Sequence, residues 1–338
     1  MLEIPVLTDQ RIIDCLAAEY GLAVVSVEFL PLGADINTAV YRIAADNGER
    51  YFLKLRRGDF SPASVEIPDF VHHHGMTHVI PSIPTRRGAL SASLPPYAVI
   101  LYPFIAGVNG FEKSLTDCQW IEFGAALKQF HLTEFPGALT AAIPREQFSP
   151  HSRSQARLFL KHAAKKSYAD PIAAETADFL RSKSMQIRGL VILAERLALK
   201  LKASSRRFIL CHGDIHAWNL LITPEDDFYI VDWDTLILAP KERDLMFIGC
   251  GLGGPGHTPL EEETFFYQGY GATDLDPVGM AYYRFERIVE DIAAFSEQIF
   301  GSDEGGEDKR QALEYLKSNF KTGGAIELAY QSSGRIDQ

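Results

Sequence analysis

With 338 residues, 46% hydrophobic and 23% charged, the chain has the length and composition of one large or two modest globular domains with a sizeable core. Its formal net charge of -11, without a long basic run, excludes a general nucleic-acid or anionic-membrane partner, because phosphate surfaces are met by clustered Lys and Arg. Four dispersed cysteines (Cys15, Cys118, Cys211, Cys250), a start unlike a signal peptide and no apolar run of about 18 residues predict a soluble, cytoplasmic protein without disulfides or structural zinc.

Thr8-Asp9 opens a helix in which Ile12, Ile13, Leu16 and Tyr20 recur at helical spacing before Gly21 stops it. Three β-rich runs follow, Val24–Leu30, Ala39–Ala44 and Arg50–Leu55, the last two joined by the turn Asp46-Asn47-Gly48. Between the first two lies Pro31–Thr38, a small polar loop whose backbone N–H groups, with Asn37 and Thr38, are candidates for covering nucleotide phosphates. Taken alone, that loop reads as a plain hairpin connection, since it lacks G-x-G-x-x-G.

Lys54 shares a strand face with Phe52, and a core-facing lysine needs a charged partner. One hairpin after the loop, it stands where a kinase keeps its phosphate-binding lysine. Glu66, in a helix from Pro62 to about His74, is one candidate partner, although Pro68 interrupts that helix. His72, His73 and His74 point in different directions on it and read as exposed.

Tyr97–Tyr102 reads as a buried strand, and the Pro- and Gly-punctuated stretch after it, about 102–110, as a hinge. Adenine would pair with backbone groups around Tyr102, Pro103, Phe104 and Ile105. From there the pattern turns helical: Leu115-Thr116-Asp117 opens one helix, and Ala156–Tyr168, Ile172–Arg181 and Met185–Lys202 are others. The domain expectation is therefore an N-terminal nucleotide-binding lobe over 1–103 and a helical lobe over 104–338 with the catalytic loop and substrate site.

The strand Phe208–Cys211 leads into His212-Gly-Asp214-Ile-His216-Ala-Trp-Asn219, and the hairpin Leu220–Thr223/Phe228–Val231 ends at Asp232. Asp214 can accept a proton from a substrate hydroxyl, while Asn219 and Asp232 are hard oxygen ligands suited to magnesium. The Asp-x-x-x-x-Asn spacing is that of a kinase catalytic loop, with Gly213 in place of its Arg. Pro240–Leu245 opens a further helix, which Asp244 is expected to cap, with anchoring of the catalytic segment as the alternative. The Gly-rich loop Gly249–Gly256 carries no phosphate motif. The long helix Pro277–Phe300 places Glu286 and Glu290 one turn apart. Those two and Asp291 are candidates for meeting a cationic substrate, or are acids neutralised by Arg287 and solvent.

Asp214, Asn219 and Asp232 in these surroundings resemble the signature of the aminoglycoside phosphotransferase family, which shares the protein-kinase-like fold. Tyr102-Pro-Phe-Ile105, Asn109-Gly-Phe111, the stretch Ala239–Gly249 and Glu286–Ala293 resemble, more narrowly, the spectinomycin-phosphorylating branch of that family. The resemblance implies an α+β, two-lobed protein-kinase-like fold, with a small β-rich N-lobe and a large, mainly helical C-lobe. It implies Asp214 as catalytic base or hydroxyl-orienting group, Asn219 and Asp232 on Mg2+, Lys54 on the ATP phosphates and His212 as a loop-shaping histidine.

The expected reaction is ATP- and magnesium-dependent phosphorylation of a hydroxyl on a small cationic aminocyclitol such as spectinomycin, an antibiotic-resistance activity. An alternative acceptor is an endogenous amino alcohol or sugar, and a non-catalytic nucleotide-binding pseudokinase is disfavoured by the full catalytic set. No nucleic-acid or membrane partner is expected. Oligomeric state is open, with a monomer favoured.

Overall fold

Alternating apolar residues and turn-forming pairs build the strands of the first hundred residues, where two helices also lie; apolar spacings of three and four build mostly helices after them, with short strands among them. The computed structural model describes residues 1–249, 256–301 and 306–333, so Cys250 and the interior of the Gly249–Gly256 loop lie outside the described residues. First come α1 (Asp9–Tyr20), β1 (Val24–Leu30), β2 (Thr38–Ala45), β3 (Arg50–Arg57), α2 (Ala63–His73), β4 (Ala92–Leu94), β5 (Tyr97–Pro103) and β6 (Val108–Asn109). Helices α3 (Asp117–Leu132), α4 (Gly137–Thr140), α5 (His151–Lys165), α6 (Pro171–Ser182) and α7 (Ser184–Lys202) follow. Short strands β7 (Ile209–Cys211), β8 (Leu220–Ile222), β9 (Phe228–Ile230) and β10 (Ile237–Ala239) come next. The chain closes with α8 (Glu242–Leu245), α9 (Pro259–Tyr270), α10 (Pro277–Phe300), α11 (Gly306–Ser318) and α12 (Ala325–Ser333). Among the described residues no helix is long and apolar enough to cross a membrane.

Two compact units result. One comprises Met1–Lys113, Leu132–Ile143 and Trp218–Leu236; the other comprises Ser114–His131, Pro144–Ala217 and Ile237–Gln338. This interleaving differs from the single cut expected after residue 103, because the β8–β9 hairpin groups with the N-terminal strands.

In the first unit the strands form an antiparallel sheet of order β1-β2-β3-β5-β4. Period-two alternation sends Leu53 and Leu55 of β3 to one face, where they join Tyr41, Ile43, Val99 and Leu101 under Ile12 and Leu16 of α1. Lys54 and Arg56 are thereby turned to the opposite face, so Lys54 does not face this core. Gly21, at φ 72, ends α1 in the left-handed conformation that a glycine adopts without steric cost. A second small sheet, β6-β8-β9, carries the hairpin that ends at Asp232.

The second unit is helical, apart from the antiparallel pair β7 and β10. Its centre is α10, whose apolar residues Ala281, Phe285, Ile288, Val289 and Ile292 are buried and which packs on α5, α7, α11 and α12. Helices α3 and α9 approach closely at paired glycines. A Cβ on Gly124 would stand 2.1 Å from the Phe266 carbonyl oxygen, and one on Gly269 would stand 1.7 Å from that of Ile121.

Candidate active site

In the first unit, Lys54 reaches from β3 to two carboxylates. Its Nζ lies 2.9 Å from Asp232 Oδ1 and 2.8 Å from Asp234 Oδ2. Burial alone would lower the affinity of this lysine for its proton, but the two aspartates more than reverse that, so it stays charged. Glu66, the partner considered from sequence, has no ion pair among the described residues. It is the Asp232–Asp234 segment, 178 residues from Lys54, that meets the lysine.

The β8–β9 register explains how Asn219 and Asp232 come together. Leu220 pairs with Ile230, and the Val231 N–H donates to the Asn219 carbonyl at 2.9 Å. Asn219 is thus fixed opposite the residue that precedes Asp232. Asp232 has φ 62 and ψ 66, a left-handed conformation that few side chains other than Asn and Asp adopt. Trp233, buried beside it, donates its indole N–H to the Ile230 carbonyl at 3.0 Å and holds this turn. The Asn219 amide and the Asp232 and Asp234 carboxylates, beside a compensating lysine, supply hard oxygen donors of the kind that would suit Mg2+.

The Pro31–Thr38 loop is organised by Asp35. Its carboxylate accepts from the Asn37 N–H at 2.8 Å and from the Thr38 hydroxyl at 3.0 Å. Arg56, on the same face of β3 as Lys54, donates to the Thr38 oxygen at 2.7 Å, pairs with Asp35 and lies 3.7 Å from Asp234. This second cation at the loop was missed from sequence, although the same alternation that places Lys54 also places Arg56. Tyr102 and Pro103 end β5 in register with Phe52 and Tyr51, the Phe104 N–H is spent on the Arg50 carbonyl at 3.1 Å, and Ile105 follows the strand, half-buried.

In the second unit, the segment carrying Asp214 hangs from Asp244. Its carboxylate accepts the His212 N–H at 2.9 Å and the Gly213 N–H at 2.7 Å. Gly213 sits at φ 86, which explains a glycine where kinases have arginine. Asp244 is therefore an anchor for the loop; α8 begins with Lys241 at its N-cap, and Asp244 does not cap it. His131, missed from sequence, holds Asp244 Oδ2 at 2.9 Å and is itself held by the Tyr270 hydroxyl at 2.8 Å. Burial works against the Asp244 charge, but His131 and the loop N–H groups keep its carboxyl below the ordinary range. Cys211 lies within ligand distance of His131 and Asp244. Hydrogen bonds already account for this trio, and burial pushes the thiol up, away from the thiolate a metal needs. His212, fully buried, accepts the Asp214 N–H at 3.3 Å, in keeping with a shaping role.

The Asp214 carboxylate is met by Arg287 of α10 and, at 3.3 Å, by His216 Nε2. Burial favours its neutral form, but Arg287, then His216 and His212, outweigh this and hold it well below the usual carboxylate range. The three acids proposed for the substrate have other engagements. Glu286 is only 3% exposed and is spent on Arg153 of α5, so it does not line a surface open to an acceptor. Glu290 lies 3.4 Å from Arg243, and Asp291 pairs with Arg287 Nε at 3.0 Å. Helical periodicity alone does not show which of these neighbouring acids points inward.

The model of the phosphotransferase enzyme family matches residues 28–283. The chain belongs to this family. A spectinomycin phosphotransferase solved with ADP and spectinomycin is 34% identical, covers 97% of this chain and 99% of its own, and superposes with a TM-score of 0.89. Protein StrN of Streptomyces griseus is 28% identical over 229 residues, 64% of this chain and 67% of that protein. A microcompartment-associated aminopropanol kinase, 17% identical with a TM-score of 0.56 over 97% of this chain and 98% of its own, shares the fold alone. The phosphotransferase thus has the kinase-like fold, and it is an enzyme that moves a phosphoryl group to a hydroxyl of a small molecule.

Proposed function

We propose that this phosphotransferase transfers the γ-phosphoryl group of ATP to a hydroxyl of spectinomycin or a closely related aminocyclitol. The observation that carries the reading is the 34% identity to a spectinomycin phosphotransferase over 97% of the chain. Asp214 receives the acceptor hydroxyl. Lys54 meets the nucleotide phosphates, and the Asn37–Thr38 turn covers them. Asn219 and Asp232 would hold magnesium, which would supply positive charge toward the phosphates. Because such a transfer passes through a loose transition state, orientation of the hydroxyl matters more than the strength of the base. That suits Asp214, a carboxylate held ionised and weakly basic.

A second acceptor class has one observation in its favour. Glu286, Glu290 and Asp291 each face an arginine, so less negative charge remains for a cationic acceptor than the sequence implied. An amino alcohol or a sugar belongs in the same test. Purified protein with magnesium and ATP is assayed for acceptor-dependent ADP release against aminocyclitols, aminoglycosides and small alcohols. Turnover highest with spectinomycin supports the reading. Efficient turnover of a small alcohol with feeble turnover of spectinomycin would replace the acceptor, and no turnover of any of them would sink the proposal.

A further inference from the structure

Arg287 is the one arginine on α10 whose charged end meets Asp214. Its Nε is pinned 3.0 Å from Asp291 Oδ1, one turn further along the helix. The other Asp291 oxygen accepts from Asn319 Nδ2 at 3.3 Å, and the guanidinium lies 5.8 Å from the centroid of the Phe247 ring. With one edge of the planar fork committed to Asp291, the Nη1 edge is directed at Asp214 Oδ1, which His216 also approaches. Asn319, Asp291, Arg287 and Asp214 therefore form a continuous line anchored on α10, the helix at the centre of its unit. Glu290, the remaining acid of this turn, is matched by Arg243, so Arg287 does not merely dissipate helix-surface charge.

We propose that Arg287 is a positioning residue for the phosphoryl acceptor: bridging Asp291 and Asp214, it holds the Asp214 carboxylate in the orientation that receives the hydroxyl. The proposal rests on the reading of Asp214 given above, and it moves Asp291 from acceptor ligand to support of Arg287. A point charge cannot reproduce this bridge. Lysine at this position reaches one carboxylate or the other, because it lacks the two-edged fork.

The test compares wild type with Arg287→Met, Arg287→Lys and Asp291→Asn, using the acceptor found in the ADP-release panel, alongside crystal structures of the substrate-free proteins. Arg287→Met is expected to lower kcat about 10- to 100-fold with the acceptor KM within about twofold, as a misplaced reacting group does. Arg287→Lys recovers part of the loss and guards against a methionine variant that fails to fold. Asp291→Asn loses kcat to a smaller extent, again without a rise in KM. In the Arg287→Met crystal the Asp214 carboxylate leaves its wild-type rotamer while the main chain of 212–216 stays in place. An unchanged or higher kcat in Arg287→Met, a KM rise at constant kcat in Asp291→Asn, or an unmoved Asp214 overturns the proposal. A wild type that phosphorylates no acceptor counts against the functional reading instead, and the rotamer comparison still decides the role of Arg287.

Discussion

Asp214 shows how neighbours set the chemistry of one carboxylate. Burial would raise its pKa, yet Arg287, His216 and His212 press it below the ordinary Asp range. A depressed folded value means that the stabilisation from this ion pair is complete above the ordinary range, about pH 4, and is lost only as pH falls through the lower folded value. The kcat profile should accordingly show no acid limb from this group between about pH 5 and 7; a limb near pH 6 that vanishes in Asp214→Asn would contradict it. Asp214→Asn should itself lower kcat by about 10²- to 10⁴-fold with nucleotide affinity unchanged, as measured by steady-state kinetics and calorimetry. Lys54 belongs to the other unit and, on the proposed function, to the nucleotide. Lys54→Met should weaken ATP binding by about 10- to 100-fold, the equivalent of a lost hydrogen bond between charged groups. An affinity equal to wild type in calorimetric titration would remove Lys54 from the nucleotide site.

At the scale of elements, two packing arrangements invite separate measurements. The α3–α9 crossing depends on Gly124 and Gly269, because an added Cβ would collide with main-chain oxygens that cannot rotate away. Gly269→Ala should cost about 1–3 kcal/mol or more, as overpacking does, and lower the thermal midpoint; a midpoint equal to wild type would show that the helices separate freely. The α5–α10 contact buries the Arg153–Glu286 pair, where burial pushes the Glu286 carboxyl up to about 7 against the pull of Arg153. Arg153→Met leaves that carboxylate unpaired and should cost about 3–5 kcal/mol at about pH 8. The sign follows from the raised value: the folded state holds the Glu286 proton more tightly than the unfolded chain, so stability is lost as pH rises. The penalty should therefore shrink toward about pH 5, where the group is protonated. Denaturation curves at the two pH values would expose a penalty independent of pH, and with it a purely steric origin.

The whole molecule should report ligand binding through its stability. A ligand that binds only the folded protein stabilises it by mass action, about 2.7 kcal/mol at a hundredfold excess over Kd. Magnesium with ADP should raise the thermal midpoint, and the gain should fall on chelation or in Asp232→Asn, where the hard-oxygen set loses a charge. A gain untouched by both would place nucleotide binding elsewhere in the chain.

Local pattern carried much of this protein into view from sequence. Alternation placed β1, β2, β3 and β5, turn residues placed the hairpins, and the five-residue step from Asp214 to Asn219 with a strand ending at Asp232 singled out the candidate site. These signals are legible because strand period, turn geometry and loop spacing are properties of neighbouring residues. Short pairings such as β4, β6 and β10 were not read, since two or three residues carry too little periodicity.

What only the tertiary structure decided was how the charges pair. Lys54 meets Asp232 across 178 residues, Arg153 meets Glu286 across 133, and Arg287 meets Asp214 across 73. A carboxylate on a helix has no sequence mark that separates a buried ion pair from a ligand, because burial comes from what the rest of the chain packs against it. By itself, then, the sequence determined which groups are present and in what order along the chain. Packing decided that Glu286 is sealed against Arg153 while Asp214, through Arg287, is held charged and oriented.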